Sequence, residues 1–247
     1  MVLALQRMHE LAEFVKMNSD VLCLLGLGSM SEVNRADAYS DMDFFIIVHD
    51  DAKFKFLEDL FWLKVRPLTY AFKNSNDGYK ILYDDGVYGE FAVFTKDELA
   101  SAHFTKGIIY YKQYDFDASL VIPSNAPKLK PIDIEHNINE ALTNIYVGLK
   151  RLHRGELASA TTFIQVHAYQ NTIVLFDVIF NKLDTYFDPY VFERRIEYRY
   201  KPAKLLLEKM RPGYLHNQLA AKSILNFLID HFNVNTHLVH EIQQMLT

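Results

Sequence analysis

Residues 21–48 read Val21-Leu-Cys-Leu-Leu-Gly-Leu-Gly28-Ser29-Met-Ser-Glu-Val-Asn-Arg35-Ala-Asp-Ala-Tyr-Ser-Asp41-Met-Asp43-Phe-Phe-Ile-Ile-Val48. A short apolar strand, Val21 to Leu27, delivers Gly28 and Ser29. A second apolar strand, Met42 to Val48, runs straight on from the acid pair. Strand side chains alternate between faces, so Asp41 and Asp43 are expected to point the same way. Two like charges at the head of a buried strand repel, and burying them without a partner is costly. A divalent cation relieves both problems. Hard carboxylate oxygens of this kind suit magnesium, which one or two carboxylates hold together with substrate phosphates.

The glycine lets backbone approach a phosphate closely, and the N–H groups after it can point at that phosphate. Ser29 adds a hydroxyl donor. Gly-Ser alone reads more simply as a turn with Ser29 as helix cap, and Asp-x-Asp alone as solvated loop acids. Their combination, set directly before the rigid Phe-Phe-Ile-Ile-Val run, favours chemistry. Gly26-Leu-Gly28 is not a dinucleotide fingerprint, since Ser31 stands where the third glycine belongs.

With these residues in place, Leu24 to Val48 resembles the nucleotidyltransferases that share the polymerase-beta palm. Their signature is Gly-Ser after the first strand, then Asp-x-Asp about a dozen residues on. The words Asp37-Ala-Tyr-Ser-Asp-Met-Asp43 and Tyr88-Gly-Glu-Phe91 bring the chain closest to the lincosamide nucleotidyltransferases and related antibiotic-modifying enzymes. The resemblance implies that Gly28 and Ser29 hold a nucleoside triphosphate, with ATP the choice by analogy. It implies two magnesium ions at Asp41 and Asp43, and a third acid, Glu90, that binds metal or takes a hydroxyl proton. Many relatives carry aspartate at that third position. Arg35, between the two motifs, either pairs with phosphate oxygens or is a solvated loop residue.

Composition sets outer limits. The chain has 247 residues, half of them hydrophobic, with a net charge of −5 and no Lys/Arg block. That suits one large or two small domains and makes long nucleic acid an unexpected partner. The single cysteine, Cys23, permits no internal disulfide and no zinc motif, which fits a reducing cytoplasm. No apolar run approaches the length of a bilayer span, so no membrane partner is expected.

The first half alternates helix and strand patterns. An amphipathic helix carries Met8, Leu11 and Val15. A second helix is expected from Ala52 to Leu63, capped by Asp50 and ending before Pro67. Strands are expected over Leu68–Phe72, Tyr79–Tyr83 and Val87–Phe94, with Asp85-Gly86 as the hairpin turn that brings Glu90 towards the sheet's middle. Pro123, Pro127 and Pro131 mark a linker. Beyond it, helices are expected over 134–152, 158–180, 189–198, 203–210, 215–232 and 237–246.

Other candidates weigh less. Lys150, Arg151 and Arg154 read first as a wet helix face, and His237 with His240 as an incomplete metal set. Glu193, Arg194 and Arg195, after the helix-start signal Asp188-Pro189, read first as an ion-pair network. Most aromatics of the second half, Tyr169, Phe176, Tyr186, Tyr190 and Tyr200 among them, must be core.

The expectation is therefore an α+β protein. Residues 1–125 form a nucleotidyltransferase domain with a mixed sheet and flanking helices, and 126–247 form a helical bundle. Its activity would be magnesium-dependent transfer of a nucleoside monophosphate to a hydroxyl of a small acceptor, a lincosamide or an aminoglycoside. Transfer to a protein or a transfer-RNA end stays open, as do a homodimer and a non-catalytic dimerisation or antitoxin module on the same fold.

Overall fold

β2 (Met42–Val48) is the strand on which the first half is organised. It pairs antiparallel with β1 (Val21–Gly26) on one side and parallel with β5 (Tyr88–Phe94) on the other. Antiparallel pairings add β4 (Gly78–Tyr83), β3 (Leu68–Lys73) and β6 (Ile108–Lys112). The six-stranded sheet has the order β3-β4-β5-β2-β1-β6. The computed structural model describes residues 2–123, 131–185, 187–188 and 191–247. It divides into two compact units, Met1–Pro127 and Lys128–Thr247. Most of the proline-marked linker lies outside the described residues, as do Tyr186, Pro189 and Tyr190.

Alternation along β2 sorts its side chains cleanly. Met42, Phe44, Ile46 and Val48 join α1 (Leu3–Val15) and α2 (Lys53–Glu58) in one apolar cluster. Phe44 stacks on Phe91 of β5 at 5.3 Å and meets Trp62 edge-on at 6.2 Å. Fully burying a side chain of this size is worth roughly 1.5–3 kcal/mol. Arg7 of α1, almost wholly buried, pairs with Glu10 and with Asp85 at the β4–β5 turn, tying the helix to the hairpin. Phe45 and Ile47 face the other way. They pack with Cys23, Leu25, Leu99 and Phe104 in a smaller cluster under α3 (Lys96–Leu99), which Thr95 and Glu98 start with a reciprocal capping box. Burial pushes the Cys23 thiol up to about 12, so this cysteine is packing and not a nucleophile.

The expected helix over 52–63 is shorter. Asp50 does not cap it, and Asp59 leaves helical geometry before a 3-10 turn over Leu60–Leu63. The break lets Trp62 fold back, donating its indole N–H to the Phe56 carbonyl at 3.0 Å. The capped helix α3 and edge strand β6 had no counterpart in the sequence reading.

The second unit is helical: α4 (Ile134–His153), α5 (Leu157–Thr162), α6 (Tyr169–Val174), α7 (Phe176–Ile179), α8 (Ile196–Arg199), α9 (Ala203–Met210), α10 (Asn217–His231) and α11 (Thr236–Met245). The single helix expected over 158–180 is interrupted by a π-helical turn, Phe163–Ala168. That wider turn buries the adjacent Ile164 and Gln165 together. Ile164 packs against Gly148 of α4, while Gln165 bonds to Gly213 and Asn217. The α+β class, a mixed sheet with flanking helices followed by a helical region, agrees with the sequence reading. Among the described residues, no helix is long and apolar enough to cross a membrane.

Candidate active site

Asp43 and Glu90 are direct partners in the parallel β2–β5 pairing, so they share one face of the sheet. Glu90 is also the direct partner of Lys80 on β4. Asp41 immediately precedes β2, and Tyr88 stands two residues before Glu90 on β5. Burial raises the Tyr88 phenol above the ordinary tyrosine value. The charges of Glu90, Asp41 and Asp43 push it the same way, against the pull of Lys80. All three predicted carboxylates therefore lie within electrostatic reach of one phenol, at the open end of the face whose other end the Phe45 cluster closes.

Gly28 lies against this group. Its φ of +52° is the left-handed conformation, and a Cβ there would come within 2.5 Å of Asp43 Oδ2. Both facts require glycine, because an L side chain is strained at this φ and would also displace the carboxylate. The Leu27 N–H donates to the Asp43 carbonyl at 2.7 Å, fixing the turn to the head of β2. Gly28–Ser31 then forms a 3-10 turn. The mostly buried Ser29 donates its hydroxyl to the Asp41 carbonyl at 3.3 Å, so it links the turn to the acid segment. It is not the helix cap of the simpler reading. Ser31 Oγ donates to the Gly28 carbonyl at 2.7 Å. Arg35 donates to the same carbonyl and lies 3.5 Å from Glu32. Its guanidinium braces the turn from within.

Glu90 sits on an interior strand, yet its side chain is half exposed because that end of the face is open. Asn74 Nδ2 donates to its Oε1 at 2.7 Å, and Lys80 Nζ lies 3.7 Å from its Oε2. Among the described residues, no group of three or more His, Cys, Asp and Glu side chains is placed to hold a metal ion. What the face offers is a pair of hard carboxylates beside a phosphate-compatible turn. That donor set fits magnesium completed by phosphate oxygens and water, not an all-protein cage.

Three residues beside the carboxylates were given no site role by the sequence reading: Tyr88, Lys80 and Asn74. Tyr88 was within reach, being two residues from Glu90 on the same strand. Lys80 was too, since Lys80 and Glu90 stand equally far either side of Asp85 in the predicted hairpin. Elsewhere, Arg151 pairs with Glu156 at 2.9 Å, and Lys150 sits over the Tyr146 ring. Arg194 meets Asp188 at 3.2 Å and Arg211 meets Glu193 at 3.4 Å, which is the ion-pair network the sequence favoured. Arg195 adopts a left-handed φ of 60°.

No family model matches the chain, and no curated protein matches it. Similar solved structures include an aminoglycoside 6-adenyltransferase from Bacillus subtilis, 15% identical, covering 98% of this chain and 91% of that one, with a TM-score of 0.35. Another is a nucleotidyltransferase-like protein from Exiguobacterium sibiricum 255-15, 9% identical, covering 92% and 74%, with a TM-score of 0.30. At these scores the likeness carries no argument.

Proposed function

We propose that this chain is a nucleotidyltransferase that moves a nucleoside monophosphate, AMP from ATP, to a hydroxyl of a small molecule such as a lincosamide or aminoglycoside. One observation carries the reading. Asp43 and Glu90 stand in register on adjacent parallel strands, with Asp41 just ahead and the Gly28-Ser29 turn against Asp43.

In this reading Gly28 and Ser29 present backbone N–H groups to the triphosphate, and Arg35 and Ser31 hold the turn in shape. Asp41 and Asp43 would hold magnesium, which supplies neutralising charge at the phosphates. The acceptor oxygen attacks the α-phosphorus, the bond to the bridging oxygen breaks, and pyrophosphate leaves with the electron pair. Glu90 accepts the hydroxyl proton. Positioning and electrostatics supply most of the rate enhancement.

Calorimetry with a non-hydrolysable ATP analogue tests this. Binding that requires magnesium, and that Asp41→Asn/Asp43→Asn loses, is expected. Wild-type protein that binds no nucleoside triphosphate, with or without magnesium and candidate acceptors, would point to a non-catalytic module instead.

A further inference from the structure

The register of the sheet extends the site beyond the carboxylates. Asp43 pairs with Glu90, Glu90 with Lys80, and Lys80 with Phe72 of β3. One row behind, Tyr88 pairs with Leu82, and Leu82 with Tyr70. Direct partners share a face, so Tyr70 and Phe72 stand on the face of the carboxylates. Both rings are about half exposed, at 53% and 52%. Large apolar side chains left open in a contiguous patch mark a contact surface more often than chance placement does.

The order of the row gives this patch a direction. Gly28 follows β1 and lies on one side of Asp43, while Glu90, Lys80 and Phe72 lie on the other. In-line displacement puts the attacking and leaving oxygens on opposite sides of the phosphorus. With the pyrophosphate at the Gly28-Ser29 turn, the acceptor hydroxyl must come from the Glu90 side. Its body then lies over β4 and β3.

We propose that Tyr70, Phe72 and Leu82 form the acceptor platform of the site, and that the acceptor is a weakly charged, hydroxylated molecule with a flat or CH-rich face. Strands are spaced about 4.8 Å apart, so the platform reaches roughly 10 Å beyond Glu90, enough for a molecule of two rings. Tyr70, Leu82 and Phe72 include no carboxylate, and the nearest charge in their rows is the cation Lys80. A polycation would leave its amines unpaired there, whereas an apolar ring face would stack. This inference deepens the proposed nucleotidyl transfer and rests on it.

The test uses Tyr70→Thr/Phe72→Thr, which removes both rings but keeps strand-favouring residues in an exposed strand. Pyrophosphate release from magnesium-ATP is followed with octyl thioglucoside, lincomycin and kanamycin as acceptors of rising charge. Wild-type protein should prefer one of the first two. The variant should raise that acceptor's KM about tenfold while leaving the KM for ATP and kcat close to wild type. Preference for kanamycin overturns the platform. So does an unchanged acceptor KM, or a protein that binds magnesium-ATP yet uses none of the three. A wild-type dimer that the variant dissociates, with the acceptor KM unmoved, makes β3 a contact between copies and overturns it too. Failure of wild-type protein to bind magnesium-ATP is the separate result that removes the underlying site.

Discussion

Asp43 and Phe44 are neighbours on β2, yet they belong to two differently built regions. The Phe44 face is closed. It carries Met42, Ile46, Val48, Ile81 and Phe91 under α1 and α2, and these residues expose almost nothing. The Asp43 face is closed only at one end, by the cluster around Phe45, Ile47 and Phe104. At the other end it carries Asp41, Asp43, Tyr88, Glu90 and Lys80, and leaves Tyr70 and Phe72 in the open. A sheet fixed by one buried face can hold mutually repelling charges on the other. The core absorbs the cost, and the strands keep the charges in register. Mutations on the two faces should therefore separate stability from activity.

The sharpest separation lies between the neighbours themselves. Asp43→Asn keeps the shape of the side chain and removes one of the two charges proposed to hold magnesium. It should lower transfer roughly 10³-fold or more, because charge stabilisation by a bound metal is worth several kcal/mol. Stability should stay within about 1 kcal/mol of wild type. Pyrophosphate release and a thermal melt read the two effects, and normal turnover would remove the metal site. Phe44→Ala should do the reverse. Losing a fully buried ring stacked on Phe91 and edge-on to Trp62 should cost about 3–5 kcal/mol in denaturant unfolding. Activity per folded molecule should be largely kept. If that activity fell with stability left intact, the closed face would be part of the site.

The same contrast explains how much could be read from the chain. The closed face and the acid pair were legible because alternation in Met42–Val48 states both at once. The β4–β5 hairpin was legible because Gly86, at φ +83°, supplies the turn that Asp85-Gly86 announces. β6 was missed because it is an edge strand whose residues are all partly or fully exposed, so no hydrophobic alternation marks it. The breaks at Asp59 and over Phe163–Ala168 were missed for another reason. They answer to single side-chain hydrogen bonds, the indole of Trp62 to Phe56 and the buried amide of Gln165 to Gly213, that no hydrophobic periodicity carries. The role of Arg35 was left between phosphate ligand and solvated loop, since sequence cannot show a side chain curling back onto Gly28.

Glu90→Gln probes whether the open end does chemistry or merely balances charge. If Glu90 takes the hydroxyl proton, the variant should lose about 10²-fold in kcat. Its half-exposed side chain predicts a stability change under about 0.5 kcal/mol. An unchanged kcat would leave Glu90 as the partner of Asn74 and Lys80 alone.

The smallest expected effect lies where the covers of the two faces meet. Lys53 of α2 reaches Asp77 and Glu98 at 2.6 Å each, joining the helix over the closed face to the short helix over the other. Burial pulls Lys53 down, but hydrogen bonds and charge from Asp77 and Glu98 outweigh it and raise it above the ordinary lysine value. Burial pushes Glu98 up, but the Lys53 and Thr95 hydrogen bonds outweigh it and hold it below the ordinary carboxylate value. A raised lysine stabilises fully below its unfolded value and stops doing so as pH climbs through the folded one. A lowered carboxylate stabilises fully above its unfolded value and stops as pH falls through the folded one. Both acids are partly exposed, so Lys53→Gln should cost only about 1 kcal/mol, a few degrees in melting temperature. The deficit should be flat from roughly pH 5 to pH 9 and shrink on further acidification as Glu98 takes up its proton. A deficit that stays unchanged on that acidification would mean that the ammonium over the Phe94 ring, and not its pairing with Glu98, joins the two covers.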